Sequence, residues 1–102
     1  MRLVEAFDSS TSVVAVMRAS DGVFLGVNPA FERSTGYRRE EVIGKIPNEI
    51  GLWPDPGFRA RIWSVLRTEH RAVGLAAEVR CADGRVLAAQ LSCEFAEDPQ
   101  EG

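Results

Sequence analysis

Residues 21–45 read DGVFLGVNPAFERSTGYRREEVIGK, and this stretch decides the fold expected for the 102-residue chain. A turn signal at residues 20–22 precedes the apolar run 23–27, which predicts the second strand of a hairpin. Asn28 and Pro29 then predict a helix start, because asparagine caps well and proline at the first helical position has no amide hydrogen to lose. Gly36 and Gly44 predict the ends of two short helices, since glycine readily adopts the left-handed conformation found there.

Working outward, the neighbouring segments extend this pattern in both directions. Residues 13–17 are apolar and largely β-branched, which predicts the first strand, and residues 1–10 predict an N-terminal cap helix and linker. Residues 45–53 predict irregular structure with one helical turn. Asp55 and Pro56 repeat the cap-then-proline start, and a longer helix follows to about residues 69–71. Its apolar positions share one face: Phe58, Ile62, Val65 and Leu66.

The last third of the chain predicts a long hairpin, and the alternation of apolar and polar residues along its two strands selects their pairing register. A three-residue loop at residues 82–84, with Gly84 left-handed, pairs Cys81 with Arg85 and sets Cys93 opposite Val73. This register predicts an apolar inner face comprising Leu75, Ala77, Val79, Cys81, Leu87, Ala89, Leu91 and Cys93. It predicts a solvent face comprising Glu78, Arg80, Gln90, Ser92 and Glu94.

These elements predict a single α+β domain over residues 1–102. Its core spans residues 11–97 and residues 98–102 form a polar tail. Strands at both ends of the chain, with helices between them, predict a four-stranded antiparallel sheet. The short helices and the longer helix are expected to cover one face.

Composition excludes several functional classes. Twelve basic and fifteen acidic residues give a net charge of -3, which provides no basic surface for nucleic acid. No apolar run is long enough to span a membrane, and no signal peptide is evident, so a cytoplasmic location is expected. The two cysteines match neither a disulfide framework nor a zinc pattern. No nucleophile–histidine set or phosphate loop occurs, so we expect no enzyme activity.

Residues 21–45 together with residues 78–87, EVRCADGRVL, closely resemble the signature segments of PAS domains. The resemblance implies a sensory input module that binds ligands or cofactors in an inner cavity. It also implies a homodimer that acts on an effector such as a histidine kinase, a cyclic-dinucleotide enzyme or a transcription regulator. The family fold has a fifth strand between the first and fourth, which this sequence lacks. We expect the gap to be closed by direct pairing of those two strands or by a partner chain.

The resemblance also directs attention to candidate sites. Flavin photosensors of the family carry a reactive cysteine in the segment that corresponds to residues 45–50, which has none, so flavin adduct chemistry is not expected. Haem-binding members use a histidine on the longer helix, which makes His70 the only candidate iron ligand. A solvent-facing residue near the helix C-terminus is the simpler interpretation of His70. No other metal ligand or cofactor is indicated.

Ala77 and Ala89 face each other on the inner sheet face, which predicts space for a small apolar ligand under the longer helix. The candidate pocket residues are Phe31, Ile62, Leu66, Ala77, Val79, Ala89 and Leu91. The alternative is that Phe58, Ile62 or Trp63 fills this space. A mild basic cluster, Arg59, Arg61, Arg67 and Arg71, is interpreted as a solvated face able to meet an acidic partner. The functional alternative to ligand sensing is a ligand-free dimerisation domain.

Overall fold

The computed structural model describes residues 12–96. The predicted helix at residues 1–10 and the tail at 98–102 therefore lie outside the described residues. The elements follow the predicted order: strands β1 (Val13–Arg18) and β2 (Phe24–Val27), helices α1 (Pro29–Thr35) and α2 (Arg39–Val42), a 3-10 helix (Pro47–Ile50), helix α3 (Pro56–Glu69), and strands β3 (Arg71–Arg80) and β4 (Val86–Ala96).

The sheet has the strand order β2-β1-β4-β3. β1 and β4 pair directly, from Val13 opposite Leu91 to Arg18 opposite Ala96, and they run parallel. The prediction of a wholly antiparallel sheet is therefore wrong in this one pair, and the sheet is mixed. With a strand between them, β1 and β4 would each run antiparallel to that strand and so parallel to each other. Their direct pairing keeps this relative direction. Direct pairing is one of the two expected ways of closing the gap.

The last hairpin has the predicted three-residue loop. The Cys81 amide donates to the Arg85 carbonyl at 2.7 Å, and Gly84 has a φ of 91°. At the far end of the hairpin the prediction is wrong, because Cys93 lies opposite Ala72 and not Val73. The register shifts between Ala72 and Leu75, which is the signature of a β-bulge.

The outer face of the sheet departs in part from the prediction. Ser92, predicted to face solvent, is buried, and its hydroxyl accepts a hydrogen bond from the Gly74 amide at 3.0 Å. Val14, the β1 residue opposite Ser92, is buried as well. Glu78, Arg80 and Gln90 are exposed as predicted. The outer face is therefore solvated over the hairpin but covered along β1 and the adjoining part of β4.

The helices pack against the inner face of the sheet, as predicted. Phe31 of α1 is fully buried and its ring meets Phe24 edge to face, with centroids 5.8 Å apart. Ile62 and Leu66 of α3 are buried against the same core as Leu91. Among residues 12–96, the core therefore lies between one layer of helices and the sheet.

Asn28 ties the helical layer to the sheet. Its side-chain oxygen accepts hydrogen bonds from the amides of Phe31 and Val14, both at 3.0 Å, and its side-chain nitrogen donates to the Ser12 carbonyl at 2.8 Å. The predicted cap of α1 is thus confirmed, and the same amide group also holds β1. At the other end of α1, Gly36 has the predicted left-handed conformation, with a φ of 79°.

Candidate functional site

A cleft of about 380 Å³, open to solvent on one side, lies beside the core. It lies between α3, the β1–β2 turn and the 3-10 helix. Its walls are mainly apolar: Met17, Ile46, Pro47, Trp53, Ile62, Trp63 and Leu66. Its size and apolar lining are those of a small-molecule site, since ligand pockets typically enclose about 300–1,000 Å³.

Helix α3 supplies one complete wall. Arg59, Ile62, Trp63 and Leu66 follow the three- and four-residue spacing of one helical face, and all four line the cleft. Asp55 starts the helix because its carboxylate accepts a hydrogen bond from the Gly57 amide at 2.9 Å. The cap therefore fixes where the helix begins and, through the helical period, which side chains face the cleft.

Trp63 forms a wall on one side of the cleft although 40 % of its surface remains exposed. Its ring meets Phe95 edge to face at 5.3 Å and lies against Gly22 in the β1–β2 turn. A Cβ atom at Gly22 would come within 3.0 Å of this ring, and the glycine has a φ of 80°. Glycine is needed here both for the turn and for the close approach of the indole.

Trp53 forms a second aromatic wall, in the loop before α3. Its ring packs against Phe58 with centroids 5.2 Å apart. Trp53 and Trp63 are the two tryptophans of the sequence. Because both line the cleft, the intrinsic tryptophan fluorescence of the protein reports on this site.

Three polar side chains, Asp21, Asn48 and Arg59, also line the cleft. Asp21 is already paired, since the Arg18 guanidinium donates to its two carboxylate oxygens at 3.0 and 2.8 Å. The hydrogen bond from Arg18 is the main cause that holds the pKa of Asp21 below its ordinary value of 3.8. Among the described residues, the Arg59 side chain has no ion pair or side-chain hydrogen bond.

Only part of the predicted pocket lines this cleft. Ile62 and Leu66 do so. Ala77 and Ala89 face each other as predicted, but they lie in or against the filled core. The remaining candidates are also core residues that do not line the cleft: Phe31, Val79 and Leu91. Neither alanine lines the cleft, whose open volume lies nearer the β1–β2 turn.

Sequence reasoning missed the two tryptophan walls and Arg59. The sequence pattern predicts Trp63 only as a filler of the core and Arg59 only as one of four surface arginines. The helical spacing of α3 does indicate Arg59, because it lies three residues before Ile62 and seven before Leu66 and so shares their helical face. Arg61 behaves differently: its guanidinium lies over the Phe58 ring, 5.6 Å from the centroid.

The remaining candidate residues lie away from the cleft. His70 is exposed at the end of α3, has a φ of 67°, and is not among the lining residues. Cys81 and Cys93 are unpaired and buried, and burial raises the pKa of the Cys93 thiol from 9.0 to about 12. Within residues 12–96, no three His, Cys, Asp or Glu side chains are grouped to hold a metal ion.

Known proteins share this architecture. Residues 2–98 match the PAS fold family, and the chain therefore belongs to the PAS family. PAS domains are generally sensory or signalling modules and are usually non-catalytic. No helix in the described range 12–96 has the length and apolar character needed to cross a membrane.

Two solved structures show the same fold. One is the PAS domain of a protein from Colwellia psychrerythraea, with 22 % identity, a TM-score of 0.63, and coverage of 83 % of this chain and 71 % of that one. The other is an RNA-binding light-oxygen-voltage receptor, with 23 % identity, a TM-score of 0.70, and coverage of 96 % of this chain. This chain spans 28 % of that receptor. No curated protein sequence is significantly similar to the chain.

Proposed function

We propose that this chain is a sensory input module that binds a small, mainly apolar molecule in the cleft and passes the change to an effector. The effector classes that suit the family are histidine kinases, cyclic-dinucleotide enzymes and transcription regulators. The observation that carries the proposal is the cleft itself, about 380 Å³ of open space with aromatic walls beside an otherwise filled core. We expect no catalysis, because the polar groups at the cleft form no nucleophile–base pair.

The walls of the cleft suggest how binding is transmitted. Trp63 contacts both Gly22 and Phe95, which belong to the β1–β2 turn and the end of β4. Those two regions are joined by a hydrogen bond from the Ala19 amide to the Ala96 carbonyl, at 2.9 Å. A ligand that moves the Trp63 ring therefore acts on the parallel β1–β4 pair at the point where both strands end.

Native mass spectrometry and tryptophan fluorescence test this proposal together. We expect a retained small molecule, or quenching on titration with an apolar probe such as decanol. Ala60 lines the cleft, so Ala60→Phe is expected to fill it and abolish binding. The matched control is Ala76→Phe, on the exposed sheet face, which is expected to bind normally. Absence of both a retained molecule and quenching would contradict ligand sensing.

We propose in addition that the domain acts as a homodimer in the cytoplasm, binds no nucleic acid and is not attached to a membrane. Two unpaired, buried cysteines suit a reducing compartment. Sedimentation of the purified protein tests the dimer. A dimer with no bound molecule under any condition would favour the alternative function, a ligand-free dimerisation domain.

A further inference from the structure

The cleft carries an unbalanced positive charge. Asp21 brings one negative charge to its lining, but that carboxylate already accepts two hydrogen bonds from Arg18 and one from the Val23 amide. Arg59 brings a guanidinium that has no ionic partner among the described residues. Apart from the paired Arg18 and Asp21, the charged group at the cleft is therefore the Arg59 guanidinium.

From this charge pattern we propose that the ligand of the cleft is an amphipathic anion, specifically a carboxylate on an unbranched or aromatic apolar body. This inference rests on the proposed function, because it names the class of molecule that the same cleft binds. The apolar body would lie against Trp53, Trp63 and Ile62, and the carboxylate would pair with Arg59. The planar guanidinium suits this role because it binds both oxygens of a carboxylate at once.

The opposite polarity is disfavoured. A cationic ligand would need Asp21, whose carboxylate already accepts from Arg18 at 2.8 and 3.0 Å, and it would meet the positive charge of Arg59. A neutral apolar ligand would make no use of the exposed Arg59 guanidinium, so its affinity would not depend on this residue. Asn48 adds amide hydrogens that also donate to an anion.

The cleft volume sets the approximate size of the part of the ligand that it encloses. Liquid water takes about 30 Å³ per molecule, so about 380 Å³ accommodates roughly a dozen non-hydrogen atoms of comparable size. A carboxylate with a chain of about ten carbons matches this size. Decanoate is therefore a suitable probe, with decanol and decylamine as neutral and cationic molecules of the same tail.

Arg59 has a matched control on the same helix. Arg67 is also exposed on α3 but does not line the cleft. The test is a fluorescence titration of the wild type, Arg59→Gln and Arg67→Gln with each of the three probes, below micelle-forming concentrations. Both arginines are exposed, so both variants are expected to fold, and circular dichroism with urea unfolding checks this.

We expect wild type and Arg67→Gln to bind decanoate about 2- to 5-fold more tightly than decanol, and decylamine most weakly. Arg59→Gln is expected to lose this preference while its affinity for decanol stays the same. Added salt is expected to weaken decanoate binding only where Arg59 is present.

The outcomes separate the two proposals. If decanol and decanoate bind equally, and Arg59→Gln changes neither, the anion inference is overturned while ligand sensing in the cleft stands. If decylamine binds best, the inference is overturned in favour of a site at Asp21. If no probe quenches either tryptophan, the cleft is not a ligand site and both proposals fail.

Discussion

Replacing Asn28 with alanine tests the joint between the helical layer and the sheet. The side chain is fully buried and makes three hydrogen bonds: from Phe31, from Val14 and to Ser12. Loss of the helix cap costs about 1 kcal/mol. The Phe31 amide keeps a second acceptor, the Asn28 carbonyl at 3.0 Å, but the buried Val14 amide loses the side-chain partner, which costs about 1–3 kcal/mol more.

We therefore expect Asn28→Ala to lower the free energy of unfolding by about 2–4 kcal/mol, out of a total of about 5–15 kcal/mol for a domain of this kind. Urea titration followed by tryptophan fluorescence and circular dichroism measures this loss. The control is Asn48→Ala, an exposed asparagine whose replacement is expected to change stability by less than about 0.5 kcal/mol. If the two variants agree within about 0.5 kcal/mol, the buried hydrogen bonds of Asn28 do not stabilise the fold as argued.

Three further predictions concern backbone conformation and one buried thiol. Gly22→Ala is expected to lower the free energy of unfolding, measured in urea, by about 1–3 kcal/mol more than Gly84→Ala does. Both glycines have positive φ, but only at Gly22 would the added Cβ clash with Trp63, so equal losses would contradict the contact. Burial raises the folded-state pKa of Cys93 to about 12, so the thiol ionises more readily in the unfolded protein than in the folded one. The free energy of unfolding that Cys93 contributes is therefore complete below pH 9.0 and is lost as pH rises towards 12, by up to about 1.4 kcal/mol per pH unit. Cys93→Ala is expected to flatten this decline in urea unfolding measured from pH 8 to 11, and parallel profiles would show that burial does not suppress thiol ionisation. His70→Gly is expected to stabilise the protein by about 0.5–1 kcal/mol, because His70 has a φ of 67°, which glycine adopts without strain. His70→Ala keeps the Cβ and is expected to bring no such gain. Equal Tm values for the two variants would refute this.

The parts of the fold that the sequence predicts are those that local chemistry decides. Asn28 and Asp55 cap their helices because a short polar side chain reaches the next amides of its own chain. The loop at residues 82–84 follows from alternation on both sides of it and a glycine that adopts positive φ. In these places the neighbouring residues carry the whole signal.

The bulge at β3 and the parallel β1–β4 pair depend on contacts between distant segments. Gly74 accommodates the bulge, but its amide finds a partner only because Ser92 lies on the adjacent strand. The parallel direction of β1 and β4 follows from their direct pairing in the sheet. Neither feature has a local pattern from which it is predictable.

The candidate site shows the same division. Ala77 and Ala89 pair as the alternation predicts, but neither lines the cleft. The cleft arises where the β1–β2 turn, the 3-10 helix and α3 meet. Its position depends on the Trp63 ring lying against Gly22, which no single segment reveals.

The parallel β1–β4 pair has a consequence for the rate of folding. The β1–β2 hairpin and the β3–β4 hairpin each form from nearby residues, but the pair that joins them brings together the two ends of the described chain. Closing so long a loop costs entropy before its contacts stabilise it, and non-local pairing of this kind slows folding. We therefore expect the hairpins and α3 to form early and the β1–β4 pair to complete the rate-limiting step. Substitutions in the hairpin loop and in β1 would then both act mainly on the refolding rate, because both sets of contacts are formed when the barrier is crossed.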